Sequence, residues 1–237
     1  MTQDPSPVVT KVIVHLESAG SNARRAKSTT YCPTAMRVIG VSNPELYKLI
    51  RTLKKEHPDW SDRQWINLCL ELAGTGIFEC RGIAFEVIGR NRKLLEALTP
   101  GELSLLGEGL DNWASVDHFA VGIHGVLWRM GKVTDRDIEH LLHSDDPWKR
   151  RVAVVSTVAL NLKSRGGTGD AARTLKVCEA VVTDHHDMVR KALSWALREL
   201  SKREPGAVEE FMERHHNSLA GRVVREVNHK LKFGTKN

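Results

Sequence analysis

No window of the 237-residue chain approaches the eighteen or so uninterrupted apolar residues that a helical membrane span requires. The first residues, MTQDPSPVVT, also lack the basic-then-apolar order of a secretory signal, so the cytoplasm is the expected location. Cysteine is scarce. Cys32, Cys69, Cys80 and Cys178 show no CxxC spacing, and Cys69 and Cys80 fall in apolar helical contexts where a thiol acts as a small hydrophobe. Neither a disulfide framework nor a zinc site is expected. Long runs that alternate apolar and polar residues are missing too, which leaves an all-α fold. There is no GxSxG and no HExxH, and the Gly-Gly pair of SRGGTGD (164–170) lacks the GK[ST] ending of a phosphate loop. The pairs His140/His143, His185/His186 and His215/His216 have no third ligand at a convincing spacing, so no metal and no cofactor are expected.

What the chain does have is ordinary globular content, 41% hydrophobic and 27% charged residues, enough to bury a sizeable core. Lys and Arg outnumber Asp and Glu by 35 to 29, and the sequence pI is near 9.2. This moderate basicity admits a polyanionic partner without establishing one. Helix starts are marked by Ser42-Asn43-Pro44 before ELYKLIRTLKKEH, Ser61-Asp62 before RQWINLCLELAG, and Thr99-Pro100 before GELSLLGEGL. Further starts fall near Thr134 and near Asp146-Pro147, while SRGGTGD reads as a flexible loop.

Laid over each other at an offset of 40, DPWKRRVAVVSTVAL (146–160) and HDMVRKALSWALREL (186–200) match in form. Trp148 meets Met188, Arg150 meets Arg190, and Arg151 meets Lys191. FECRGIAFEVIGR (78–90) is similar, and the spacing predicts a curved α-solenoid of stacked antiparallel, HEAT-like helical pairs. Residues 1–28 read as a basic N-terminal arm with one apolar stretch, Val8 to Leu16, leaving 29–237 as a single helical-repeat domain.

Positions i and i+4 share a helical face, so Trp113 and Asp117 project side by side. Two readings stay open: a packing indole with a solvated charge beside it, or a ligand-facing pair. Trp195 poses the same choice between core and platform. Lys149, Arg150 and Arg151 crowd the first turn of a helix, where the dipole disfavours cations, so either phosphates or a solvated basic turn accounts for them. Arg198 and Lys202 extend the face of Trp195.

Taken in order, NWASVD (112–117), DPWKRRVAV (146–154) and VRKALSWALRELSKREP (189–205) resemble the DNA alkylation repair glycosylase family, the AlkD-like HEAT-repeat proteins. MRVIGVSNPELYKLIRTL (36–53) and LAGRVVREVNHKL (219–231) resemble its early segment and last helix, so the resemblance covers about residues 31–232. It implies Trp113 and Trp195 as aromatic walls of a lesion site, Asp117 as catalytic carboxylate, Arg151 as the basic site residue and Arg198 as a backbone contact, with Lys149, Arg150 and Lys191 as further DNA-binding cations. The implied partner is double-stranded DNA containing alkylated bases, and the implied state is a monomer. Relatives often carry an aromatic where this chain has Ala114 and a Gly where it has Ser194. A non-catalytic protein for damaged or branched DNA and a protein-interaction scaffold are the competing readings.

Overall fold

A computed structural model of the chain describes residues 6–235. The chain divides into two compact units, Met1–Phe119 and Ala120–Asn237. Among the described residues the backbone is helical throughout, with one isolated bridge, Arg37 to Ile77, and no longer strand. The all-α expectation therefore holds. No helix is long and apolar enough to cross a membrane among the described residues.

The first unit runs α1 (Pro7–Ala19), α2 (Asn22–Tyr31), α3 (Asn43–Glu56), α4 (Asp62–Gly74), α5 (Phe78–Gly89), α6 (Arg92–Ala97), α7 (Pro100–Gly107) and α8 (Trp113–Phe119). Its core is the α4–α5 pair. α4 packs on α5, and Ile66, Cys69 and Leu72 of α4 and Cys80, Ile83, Phe85 and Ile88 of α5 are all essentially sealed from solvent. Ser61 and Thr99 start α4 and α7 with reciprocal boxes to Gln64 and Glu102, as their spacing predicts. Ser42 precedes α3 without a side-chain cap bond.

Of the arm expected over 1–28, residues 1–5 lie outside the described residues, and most of the rest is helical. Its apolar stretch is α1, whose Val9, Val12 and Leu16 are buried and dock on α4 and α5. The boundary drawn at 28/29 falls inside α2. Burying three aliphatic side chains contributes roughly 1.5–3 kcal/mol each, enough to hold a short helix in place.

The second unit opens with a π-helical turn, Ala120–His124, followed by α9 (Gly125–Arg129), α10 (Asp135–Leu142), α11 (Pro147–Asn161), a 3-10 turn (Lys163–Arg165), α12 (Ala171–Ala180), α13 (Asp187–Leu200), α14 (Pro205–Arg214) and α15 (Gly221–Phe233). Helix α11 is buried on every side from Arg151 to Asn161 and forms the axis of this unit. α11 and α13 begin at residues 147 and 187, the offset read from the sequence, and lie against one another. Gly125 is where the π-turn meets α11. A Cβ there would stand 2.3 Å from the Ser156 carbonyl oxygen and 2.8 Å from the Ala159 methyl. The SRGGTGD loop is tied down rather than free: Arg129 donates to the carbonyls of Arg165 (2.7 Å) and Gly166 (2.6 Å), and Arg203 to those of Asn161 and Gly167 (3.1 Å each).

Candidate functional site

In the first unit, α8 is entered through Asp111 and Asn112. Asn112 is fully buried, and its Oδ1 accepts the Ser115 N–H at 2.9 Å, which makes it the helix cap. The same oxygen accepts the Cys32 thiol at 3.3 Å, while Nδ2 donates to Asp111 (2.9 Å) and Ser115 Oγ (3.2 Å). Asp111 in turn accepts the Thr34 hydroxyl at 2.7 Å and the Ala35 N–H at 2.5 Å. Burial pushes the Asp111 carboxyl up, but hydrogen bonds from Asn112, Thr34 and the Ala35 backbone outweigh it and hold the group below its ordinary range. Beneath this turn lies the buried Arg81, which donates to the Gly109 carbonyl at 3.2 Å.

A second carboxylate fixes the other end of the 31–41 segment. Buried Glu79 accepts backbone N–H groups from Ile39 (3.0 Å), Gly40 (2.6 Å) and Val41 (3.3 Å). Gly40 has φ +91°, and a Cβ there would lie 2.5 Å from the Ser21 carbonyl, so only glycine fits. Held at both ends, the segment presents Tyr31. That residue is 73% exposed, and its ring meets Trp113 edge-on, with centroids 5.2 Å apart and planes at 89°. The Trp113 indole N–H donates to the Tyr31 carbonyl at 3.3 Å.

Asp117 follows one turn later on the Trp113 face, half-buried. Ala114 shares its face with His118 instead, where the two help line a cavity of about 190 Å³ between α3, α5 and α8. His118 lies 3.4 Å from Glu86, which Arg90 also binds at 2.5 Å. The hydrogen bond from His118, with that from Arg90, holds the Glu86 carboxyl low against its burial.

In the second unit, Trp195 is half-buried on α13, and Arg150, Arg151, Lys191 and Arg198 have internal partners. Arg150 reaches both oxygens of Asp184, at 2.6 and 3.4 Å, and the Ser144 and Asp145 carbonyls. Hydrogen bonds from Arg150 and from the His186 N–H keep the Asp184 carboxyl low against its burial. Arg151 is buried and donates to the Met188 carbonyl. Lys191 pairs with Asp187 at 2.7 Å. Arg198 donates to Ser194 Oγ at 3.2 Å, and Lys149 is exposed. The basic first turn of α11 thus has a physical reason that composition does not reveal, since Asp184 and the Met188 carbonyl receive two of its guanidinium groups.

Three of the cysteine thiols are pushed up by burial, Cys69 to about 12 and Cys80 to about 11, with Cys178 moved in the same direction. They are inert at neutral pH. No group of three or more His, Cys, Asp or Glu side chains among the described residues is arranged to hold a metal ion.

The sequence profile of the DNA alkylation repair enzyme family matches residues 12–231. The chain belongs to that family. Membership implies DNA as the substrate. A solved structure from Enterococcus faecalis, described as a predicted DNA alkylation repair enzyme, is similar in fold, with a TM-score of 0.68 and 20% identity. The similarity covers 88% of this chain and 95% of the other. No curated protein matches.

Within this DNA alkylation repair chain, sequence reading missed Tyr31 and the Asp111–Asn112 clamp. Asn112 before Trp113 carries a visible capping signal, whereas nothing local points to Tyr31, 82 positions from the indole it meets.

Proposed function

We propose that this DNA alkylation repair enzyme is a glycosylase that releases cationic N3- or N7-alkylated purines from duplex DNA. Asp117 is the catalytic carboxylate, and Trp113 and Tyr31 are aromatic faces against the lesioned nucleotide. The observation that carries the reading is the Trp113–Asp117 pair, one turn apart on α8, with the indole locked against an exposed tyrosine.

An N3- or N7-alkylated purine already carries positive charge. When its bond to C1′ breaks, the electron pair goes to the base, which leaves neutral and needs no general acid. Positive charge passes to the sugar, as in glycoside hydrolysis. A carboxylate about 4 Å away, at an effective dielectric near 20, contributes on the order of 4 kcal/mol. At about 1.4 kcal/mol per decade this is roughly a thousandfold in rate, before discounting attraction already present in the ground state. Water then adds to C1′ and loses a proton, which Asp117 is suited to accept. The indole face adds about 0.5–2 kcal/mol through cation–π contact.

Because Tyr31 stands exposed and Trp113 half-exposed, the face is a surface for a stacked nucleotide rather than a closed pocket for a flipped base. Lys149, Arg150, Arg151 and Lys191 supply the cations on the second unit. The reading needs one chain, no cofactor, and the cytoplasm where chromosomal DNA is accessible.

The test is release of free base from a duplex holding a single 7-methylguanine. Release that leaves an abasic site supports the glycosylase. A well-folded protein that binds duplexes bearing 7-methylguanine or 3-methyladenine yet frees neither base would make it a binding protein.

A further inference from the structure

The seam between α13 and α15 carries a connected set of charges. Ser194 is fully buried, and its hydroxyl donates to Glu226 Oε2 at 2.6 Å. One turn along α13, Arg198 donates through Nε to the same hydroxyl at 3.2 Å and brings a terminal nitrogen within 3.7 Å of the same carboxylate oxygen. One turn before Glu226, Arg222 approaches its other oxygen at 3.8 Å and also reaches Asp187 at 3.2 Å. The Arg198 side chain is only 12% exposed and that of Glu226 21%, so this contact is poorly screened by solvent. Burial lowers the Arg198 guanidinium from its usual range, and the nearby Glu226 and Glu199 oppose that shift. Glu199 is itself bound by Lys202 at 2.6 Å, which leaves Glu226 and the Ser194 hydroxyl as the groups that hold Arg198.

A guanidinium committed to an internal carboxylate must give it up before it can bind a phosphate. We propose that Glu226 is a specificity-determining residue: a built-in counter-ion that, through Ser194, withholds Arg198 from the DNA backbone and keeps affinity for undamaged duplex low. This rests on the DNA reading above and assigns Arg198 a different role from a standing phosphate contact. Weak binding to undamaged DNA serves a repair protein, because undamaged sites compete in vast excess.

The test is the salt dependence of binding to an undamaged duplex for the wild type, Arg198→Ala, Glu226→Gln and the double variant, with melting temperatures measured alongside. Glutamine retains an oxygen to accept the Ser194 proton, so Glu226→Gln is expected to fold. Each added phosphate contact steepens the log–log salt slope by about 0.9, equivalent to about eightfold tighter binding at 0.1 M salt. Glu226→Gln is expected to show that gain, Arg198→Ala alone to leave the slope essentially unchanged, and the double variant to lose the gain. Glu210→Gln, at an exposed position of α14, makes the same change in net charge away from Arg198 and is expected to do nothing. Arg198→Ala flattening the wild-type slope by about 0.9, or an equal gain from Glu210→Gln, would overturn the proposal alone. A wild type that binds no duplex would overturn the DNA reading beneath it as well.

Discussion

Trp113 and Trp195 are both half-buried indoles on helices, yet they are held by different physics. Trp113 opens its helix and is fixed by a distant segment, through the Tyr31 carbonyl and the Asp111–Asn112 clamp. Trp195 sits mid-helix beside a ladder of paired charges that runs from Asp187–Lys191 to Glu226–Arg198. Around Trp113 the carboxylates of Asp111 and Glu79 accept backbone N–H groups and fix an aromatic face, while beside Trp195 those of Asp187 and Glu226 neutralise cations. In the two proposals made above, the first arrangement preorganises a surface for chemistry, and the second regulates how much positive charge is offered to a polyanion.

The comparison breaks if the two supports are not independent, and the sharpest probe is Gly125→Ala. Its Cβ would meet the Ser156 and Ala120 carbonyl oxygens at 2.3 and 2.9 Å, and backbone atoms cannot step aside. A loss of about 3 kcal/mol is expected. Hydrogen exchange should report it in α11, with α8 protected as before; unchanged protection in α11 would contradict the packing described.

Acid offers a second probe of nearly the same size. His124 is buried in the π-turn and bonded at 2.9 Å to Ser156 Oγ, whose own proton goes to the Val152 carbonyl, so His124 carries its proton on Nδ1. Burial pushes its pKa down to about 4, with Asp137 opposing. Between pH 6.5 and 4 the unfolded chain therefore binds the extra proton, and about 3 kcal/mol of stability, fully present above pH 6.5, drains away as the pH falls. Asp111 works at lower pH. Its depressed folded value gives stability that is full above about pH 4 and lost below it. Exchange protection should fade first in the second unit. A His124 ring that titrates near 6.5 by NMR would remove the distinction.

Asn112→Ala deletes a fully used buried amide and should cost about 2 kcal/mol, seen as lost protection in α8 and residues 31–36. An equal loss in α13 would mean that both indoles share one support. The smallest stability effect belongs to Tyr31→Ala. With its ring exposed, melting should shift by less than about 2 °C, while excision falls and Tyr31→Phe preserves it. A fully active Tyr31→Ala protein would remove Tyr31 from the site.

Local signals were legible and distant ones were not. The helix starts at Ser61, Thr99 and near Thr134 were readable because each capping box spans only four residues. The forty-residue repeat was readable because α11 and α13 solve the same packing problem twice. Residues 1–28 look like an arm because the burial of Val9, Val12 and Leu16 depends on α4 and α5, which their own periodicity cannot reveal. Residue type singled out Trp113, Asp117 and the cations as candidates. Their partners were hidden, since Asp184 for Arg150 and Glu226 for Arg198 lie 34 and 28 positions away (184 − 150 and 226 − 198).

The most direct test of the central claim is single-turnover release of 7-methylguanine by Asp117→Asn, with binding to the same duplex measured in parallel. A fall of roughly a thousandfold in the rate constant with binding essentially unchanged is the expected result. Release at the wild-type rate by a well-folded Asp117→Asn protein would contradict it.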